Sequence, residues 1–271
     1  METEYVSLHN HTTFCDGRDT MEDMVRWAAE HGVGALGFSG HSWVPGGEDY
    51  CMSRGGAAEY RAELLRLRAA YGERIRLYLG IEQDLFSPDP AVGYDFVIGA
   101  SHYVERGGRL LSVDGSEAEL RANVRDFFGG DFYAFAGGYY AAEAALAGRP
   151  FDIVAHFDLV TKFNEGGKLF SEDDPRYLGP ALEAMEALAA GDRIFEMNSG
   201  AVSRGYRTAP YIAAPLLRAL RGMGGRVTLS ADAHRKEDIL FRFGEMAELL
   251  RSCGFSEVWQ FGGGGFVPRG L

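Results

Sequence analysis

Residues 5–17 read YVSLHNHTTFCDG, a short apolar run that ends in two histidines separated by one residue. Alternate side chains of a β-strand point to the same face, so this spacing places His9 and His11 side by side. Two adjacent imidazoles fill a core poorly but make a good start for a metal site. Two polar residues leaving an exposed strand would give the same pattern, so this stretch alone leaves both interpretations open.

The rest of the chain alternates short apolar runs with longer amphipathic runs. Helical patterns separate seven predicted strands: YVSLHNH, ALGFSGHS, IRLYLGIEQDL, YDFVIGASHYV, FDIVAHFDLV, RIFEMNSG and RVTLSADAH. Such alternation predicts parallel strands joined by right-handed crossovers. An open doubly wound sheet and a closed barrel both satisfy it, but the first strand lacks a glycine-rich dinucleotide motif, which disfavours the open sheet. We predict an α/β fold with one domain over residues 1–271.

Two further segments concern the fold. Residues 116–146 have a helical pattern interrupted by Gly129-Gly130 and Gly137-Gly138, and are predicted to form two helices. The run EVWQF near the C-terminus is a candidate for a short closing strand. The glycines at 262–265 after it carry no phosphate-loop pattern, and we interpret them as a flexible tail segment.

Composition limits the possible partners of the protein. The chain of 271 residues is 46% hydrophobic and 24% charged, as in an ordinary globular protein, and its formal charge is −12. This balance argues against nonspecific binding to nucleic acid or to an anionic membrane surface. Three widely spaced cysteines form no zinc-finger or redox pair, and we see neither a leader nor a membrane-spanning apolar run. We therefore expect a cytoplasmic protein and leave its oligomeric state open.

Six of the seven histidines fall at the C-terminal ends of predicted strands, and three carboxylates join them. These nine candidate metal ligands are His9, His11, Asp16, His41, Glu82, His102, His156, Asp232 and His234. In a parallel barrel such strand ends meet at one mouth. Imidazoles and carboxylates together suit zinc, manganese or iron, and nine ligands are too many for one ion. The pattern predicts two or three divalent ions, and such clusters hydrolyse phosphate esters.

The strand ends also resemble a known family. The motifs HNHTTFCDG, GFSGHS, GIEQDL, ASHYV, VAHFDLVTKFNE, EMNSGAVSRGYR and SADAH are similar to the PHP superfamily (polymerase and histidinol phosphatase), above all to its histidinol-phosphate phosphatases. The resemblance implies a distorted (β/α)7 TIM-like barrel with a trinuclear metal centre. It assigns a first ion to His9, His11, Glu82 and Asp232, a second to Glu82, His102 and His156, and a third to Asp16, His41 and His234. Cys15, next to Asp16, is expected to turn away as a small buried side chain.

Four other polar residues near the same strand ends are candidate substrate contacts. Arg204 and Arg207 follow the sixth strand, and a guanidinium fork suits the oxygens of a phosphate monoester. By resemblance Arg204 is the phosphate clamp, whereas Arg207 could equally be a surface arginine. Asn198 is expected to orient a ligand or a water molecule, and Lys162 to contact substrate.

The expected reaction is hydrolysis of a small phosphate monoester. The resemblance implies L-histidinol phosphate, cleaved to L-histidinol and phosphate in histidine biosynthesis. Glu82 would link two ions, Arg204 would neutralise phosphoryl charge, and Asp16 or His234 could protonate the leaving group. The alternatives are a PHP enzyme for another phosphate ester, an amidohydrolase-type enzyme, which would need a carbamylated lysine, and a noncatalytic PHP module.

Overall fold

The computed structural model describes residues 5–271. Its strands are β1 (Val6–Ser7), β2 (Ala35–Phe38), β3 (Arg76–Asp84), β4 (Phe96–Ala100), β5 (Tyr103–Arg106), β6 (Arg109–Ser112), β7 (Ile153–Val154), β8 (Ile194–Asn198), β9 (Arg226–Ser230), β10 (Glu257–Phe261) and β11 (Phe266–Gly270). Seven of them form one sheet in the order β1-β2-β3-β4-β7-β8-β9, and every neighbouring pair is parallel.

Backbone pairing beyond β1 and β9 nearly closes this sheet into a barrel. The His11 N–H donates to the Ala233 carbonyl at 2.8 Å, and the Ala233 N–H donates to the His9 carbonyl at 3.1 Å. Asn10 and Ala233 form a parallel bridge between them. The prediction of a (β/α)7 barrel is confirmed, and the open sheet is not formed. The segment that closes the barrel carries two of the candidate ligands, His9 and His11.

The α-helices surround the barrel. They are α1 (Met21–Glu30), α2 (Gly56–Tyr71), α3 (Glu117–Phe128), α4 (Phe132–Ala145), α5 (Pro175–Ala189), α6 (Gly200–Ser203), α7 (Ala214–Gly222) and α8 (Phe243–Ser252). The predicted pair at 116–146 is confirmed. Its break lies at Gly129, which has φ 62°, whereas Gly137 and Gly138 lie inside α4. Within residues 5–271, no helix is both long enough and apolar enough to span a bilayer.

The barrel interior is filled by a compact apolar cluster. Phe96 belongs to this cluster, and it fits because Gly37 and Gly80 have no side chains: a Cβ at Gly80 would lie 2.2 Å from the Phe96 ring. Phe261 of β10 packs against the N-terminal end of the barrel strands, with its ring centroid 4.9 Å from that of Tyr78 in β3. The core therefore occupies the N-terminal end of the strands, which leaves the opposite end for polar groups.

Two antiparallel hairpins differ from the sequence expectations. EVWQF does form a strand, β10, but it pairs with β11 instead of joining the barrel. The prediction of a flexible tail at 262–265 is wrong, because these glycines form the turn between β10 and β11. The predicted fourth strand divides at His102 into β4 and β5, and β5 pairs with β6 across a Gly107-Gly108 turn whose positive φ angles suit a two-residue hairpin.

Candidate metal centre

The nine predicted ligands meet at the C-terminal end of the barrel. His9 and His11 follow β1, His41 follows β2, Glu82 lies in β3, His102 follows β4, His156 follows β7, and Asp232 and His234 follow β9. Asp16 lies in the loop between β1 and α1. Seven of the nine are buried, and only Asp16 and His234 are more accessible. The structure thus brings the whole predicted set together.

Glu82 is at the centre of the cluster. Its Oε2 lies 3.2 Å from His9 Nε2 and 3.5 Å from His11 Nε2. Asp232 Oδ1 faces the same two imidazoles, 3.2 Å from His11 Nε2 and 3.7 Å from His9 Nε2. Both Nε2 atoms are buried and make no hydrogen bond of acceptable geometry to the described residues. Orphaned nitrogens facing two carboxylates are what a divalent cation would satisfy.

The other oxygen of Glu82 faces a second set of imidazoles. Glu82 Oε1 lies 3.0 Å from His156 Nε2 and 3.4 Å from His102 Nε2. Because its two oxygens face different histidines, Glu82 has the geometry of a bridging carboxylate. His41 contributes as well, with Nδ1 2.8 Å from Glu82 Oε2.

Asp16 organises a third group nearer to solvent. Its Oδ2 lies 3.1 Å from His234 Nε2, and its Oδ1 lies 3.6 Å from His41 Nε2. His11 also belongs to this group, with Nδ1 3.5 Å from Asp16 Oδ1. The family resemblance assigned His11 to the first ion alone, whereas here its two ring nitrogens face two different groups. The three groups therefore adjoin and share residues.

Two buried carboxylates missed by the sequence analysis orient the ligands. Glu196 of β8 lies with Oε2 2.9 Å from His9 Nδ1, and it also accepts the His156 backbone N–H at 2.8 Å. Asp84 of β3 lies with Oδ2 2.9 Å from His102 Nδ1. Such partners hold an imidazole so that its other nitrogen faces the metal. Asp84 is two residues from Glu82 on the same strand face, a signal that could have identified it.

The electrostatic environment favours the protonation states in which Glu82 and His11 can bind a metal. Burial would raise the pKa of the Glu82 carboxyl, but His41, His9 and His102 hold it well below 4.5. Burial, His234 and His41 lower the pKa of His11 to about 3, so its imidazole is neutral. Burial and Asp16 raise the pKa of the Cys15 thiol to about 12. The prediction that Cys15 turns away is wrong, because its half-buried side chain places Sγ 3.5 Å from His11 Nδ1.

Arg204, which follows α6, contacts two of the ligands directly. Its Nη2 donates to Asp232 Oδ2 at 2.9 Å, and its Nη1 donates to the Asp232 carbonyl at 3.1 Å. Nη1 also lies 2.9 Å from His234 Nδ1. The guanidinium therefore borders the metal centre, and Asp232 fixes its orientation.

The other three predicted substrate contacts have different surroundings. Asn198 donates from Nδ2 to Glu196 Oε1 at 2.9 Å, so it acts on His9 through Glu196. Lys162 donates to Asp114 Oδ2 at 3.0 Å. The structure does not place Arg207 in contact with the ligands: its Nη1 donates to Glu172 at 2.9 Å and to the Thr161 carbonyl at 2.8 Å. Loop-to-loop pairs of this kind have no signal in the sequence.

Two cavities adjoin the metal centre, and Asp16 lines both. The first, which we name the acidic cavity, has a volume of about 500 Å³, and its wall includes His41, Asp49, Tyr50, His102, Asp114, Glu119 and Lys162. The second, the arginine cavity, has a volume of about 340 Å³, and its wall includes Arg18, Arg204, Tyr206, His234, Arg235 and Asp238. Both volumes are in the range of small-molecule sites.

Comparisons with known proteins identify the family of this chain. The family model described as "PHP domain" matches residues 7–200. The chain belongs to the PHP domain family. It is 30% identical over 260 residues to a Deinococcus radiodurans protein named "Probable histidinol-phosphatase", with 91% of this chain and 92% of that protein covered. A Schizosaccharomyces pombe protein of the same name is 24% identical over 276 residues, with 93% and 88% covered.

A solved structure shares the PHP fold. It is the crystal structure of histidinol phosphate phosphatase from Lactococcus lactis complexed with zinc, L-histidinol and phosphate. The TM-score is 0.69 at 21% sequence identity, and the match covers 97% of this chain and 99% of that chain. The segment matched to the PHP domain holds seven of the nine candidate ligands, and Asp232 and His234 follow it after β9.

Proposed function

We propose that the protein is a metal-dependent phosphatase that hydrolyses L-histidinol phosphate to L-histidinol and inorganic phosphate. The observation that carries this proposal is a set of three adjoining ligand groups, two of which share Glu82, with the Arg204 guanidinium beside them. Two relatives covered over nearly their whole length are named histidinol-phosphatase, and the Lactococcus lactis structure contains L-histidinol and phosphate. These relatives support the choice of substrate.

The ligand set fits two or three divalent ions of zinc, manganese or iron. His9, His11, Glu82 and Asp232 would hold one, and His102 and His156 would complete a second with Glu82. Divalent ions bound there supply the positive charge that activates water and neutralises phosphoryl oxygens. The protein's own contribution is to fix the imidazoles through Glu196 and Asp84, and to exclude solvent from the seven buried ligands.

Arg204 binds the phosphoryl group. Asp232 accepts hydrogen bonds from one edge of the Arg204 guanidinium. These bonds fix the side-chain conformation, so the remaining N–H groups of Arg204 are held beside the metal centre. A fixed fork of donors suits the charge that develops on the phosphoryl oxygens. Asn198, through Glu196, keeps His9 in position.

Asp16 and His234 differ in their fitness to donate a proton to the departing alkoxide. Burial would raise the pKa of the Asp16 carboxyl, but His41, His234 and His11 hold it well below its usual range. An ionised Asp16 is a good ligand and a poor acid. With two ions bound, His234 would be left to face the departing alkoxide; with three, it would be a ligand of the third ion. A metal count therefore decides the role of His234.

The test is phosphate release from a panel of L-histidinol phosphate, nucleoside monophosphates and sugar phosphates, with protein loaded with zinc, manganese or iron. Selective turnover of L-histidinol phosphate is expected, together with two or three ions per chain by elemental analysis. A flat profile across the panel would contradict the substrate and leave a phosphatase of another ester. Glu82→Gln, which keeps the side-chain volume, is the control for metal-dependent turnover.

The amidohydrolase alternative finds little support. It requires a carbamylated lysine between the ions, but the Lys162 ammonium donates to the carbonyl and the carboxylate of Asp114 in the wall of the acidic cavity. The noncatalytic alternative would be favoured by missing ligands, whereas all nine positions hold competent side chains.

The three cysteines are free thiols, which supports the reducing cytoplasm as the proposed location.

A further inference from the structure

Two carboxylates in the wall of the acidic cavity have no ion-pair partner within residues 5–271. Asp114 is not one of them, because its Oδ2 lies 3.0 Å from the Lys162 ammonium and the two charges cancel. Asp49 and Glu119 form no ion pair and no side-chain hydrogen bond with any residue in the range 5–271. Both line the cavity. The cavity therefore carries a net negative charge beyond the metal ligands.

These two exposed carboxylates reach the cavity wall from different segments of the chain. Glu119 is in the first turn of α3, and its Oε2 occupies the space beside Gly115, where a Cβ would lie only 2.5 Å away. Asp49 precedes Tyr50, whose hydroxyl lies 2.6 Å from that of Tyr103 and whose ring packs edge-on against His41 at 5.0 Å. Carboxylates beside tyrosine rings form a wall that attracts an organic cation.

The arginine cavity, on the other side of Asp16, has the opposite character. Arg235 is paired with Asp238 at 3.0 Å, and Arg204 is paired with Asp232. Arg18 is different: its backbone N–H donates to the His234 carbonyl at 2.8 Å, but its guanidinium makes no ion pair or hydrogen bond with the described part of the chain. An uncompensated cation thus borders this side of the metal centre.

We propose that the two cavities orient the substrate, with its phosphoryl group on the side of Arg18 and Arg204 and its amine-bearing part in the acidic cavity, against Asp49 and Glu119. This proposal rests on the proposed function and assigns the residues that select for a protonated amine. The reverse orientation would place an ammonium beside Arg18 and leave Asp49 and Glu119 without a partner. Charge complementarity of this kind gives specificity more than binding strength.

The test compares two esters that differ only in an amine, phosphoethanolamine and ethyl phosphate, together with L-histidinol phosphate. Asp49→Asn and Glu119→Gln are each expected to raise KM for both amine-containing esters about three- to fivefold, the range for a partly exposed ion pair. The KM for ethyl phosphate should change less than twofold. Arg18→Gln should raise KM for all three esters alike, because all carry phosphate. Glu59→Gln, a matched charge loss on the outer helix α2, is the control.

Product inhibition gives an independent readout. Asp49→Asn and Glu119→Gln should weaken inhibition by L-histidinol and leave inhibition by inorganic phosphate unchanged, whereas Arg18→Gln should do the opposite. Equal KM changes for the amine and amine-free esters would overturn the proposed orientation. No turnover of L-histidinol phosphate by the unmodified protein, with turnover of the matched pair, would overturn the substrate while the orientation is still measured. No turnover of any ester would overturn both.

Discussion

Glu196→Gln tests whether a carboxylate outside the ligand set controls metal affinity. Both Glu196 oxygens accept hydrogen bonds: Oε1 from the His156 N–H at 2.8 Å and from Asn198 Nδ2 at 2.9 Å, and Oε2 from His9 Nδ1 at 2.9 Å. Glutamine has one oxygen and one NH2 group, so one side must lose its acceptor. If the NH2 group faces His9, the imidazole carries its proton on Nε2, the atom that faces Glu82 and cannot then bind a metal.

The size of the effect follows from these contacts. Hydrogen bonds to charged groups contribute about 1.5–3 kcal/mol, against about 0.5–1.5 kcal/mol for neutral pairs, so the substitution costs about 1–1.5 kcal/mol at His9. That corresponds to about a tenfold loss of metal affinity, and the unfavourable tautomer of His9 adds to it. Loss of a carboxylate partner of a metal-binding histidine generally lowers metal affinity about 10–100-fold. We expect a loss within that range.

The measurement is competition for zinc against a chromophoric chelator, with turnover assayed at limiting and at saturating metal. Glu196→Gln should lose activity at limiting metal and recover most of it at saturating metal. Asp84→Asn, the equivalent change beside His102, should behave in the same way, and Glu186→Gln on the exposed face of α5 is the matched control. A metal affinity for Glu196→Gln within twofold of the unmodified protein, with an unchanged Tm, would refute the assigned role.

Three other changes test separate parts of the site and fold. Glu82→Gln should lower kcat by at least about a hundredfold without recovery at high metal, because it removes the group that links two ligand sets; rescue by added metal would contradict this. Arg204→Gln should raise KM for every phosphate ester about tenfold or more, since charged hydrogen bonds to phosphate are lost; an unchanged KM would disprove phosphate binding by Arg204. Burial raises the pKa of the Glu143 carboxyl well above 4.5, and the nearby Tyr139 and His102 offset this only partly. The fold therefore favours protonated Glu143, whose contribution to stability is present at low pH and lost as the pH rises through the raised pKa. Glu143→Gln should unfold at a higher urea concentration than the unmodified protein at pH 9 and flatten the dependence above about pH 4.5; parallel pH profiles would show that Glu143 is not the cause.

The convergence of the candidate ligands was predictable because all of them except Asp16 lie at or just beyond the C-terminal end of a parallel strand. His102 and His156, for example, stand 54 residues apart in the sequence, but β4 and β7 are neighbours in the barrel and bring both to Glu82. Parallel topology thus converts a position along the chain into a position in space, without knowledge of any loop.

Glu196, which the sequence analysis missed, and the Glu172 partner of Arg207 lack such a signal. Glu196 stands inside the apolar run RIFEMN and reads as one polar residue of a strand, yet it faces His9 across the barrel mouth. Arg207 has the same chemistry as Arg204 and lies three residues away, but the turn after α6 directs it to Glu172 instead. Side chains after a strand end are directed by loop conformation, which composition and spacing do not determine.

Backbone hydrogen bonds of the sheet fix the position of the buried Glu82. Its N–H donates to the Gly40 carbonyl at 3.2 Å and its carbonyl accepts from the Ser42 N–H at 2.9 Å, so the register of the sheet fixes its carboxylate. Burying polar groups is costly unless each is paired, and two nitrogens beside Glu82, His9 Nε2 and His11 Nε2, have no hydrogen-bond partner among the described residues, so we expect bound cations to stabilise the fold. Folding stability and metal binding are therefore linked. A chelator that removes activity should lower Tm as well, and zinc added back should restore both; a Tm that does not respond to chelation would contradict the assignment of these residues as ligands.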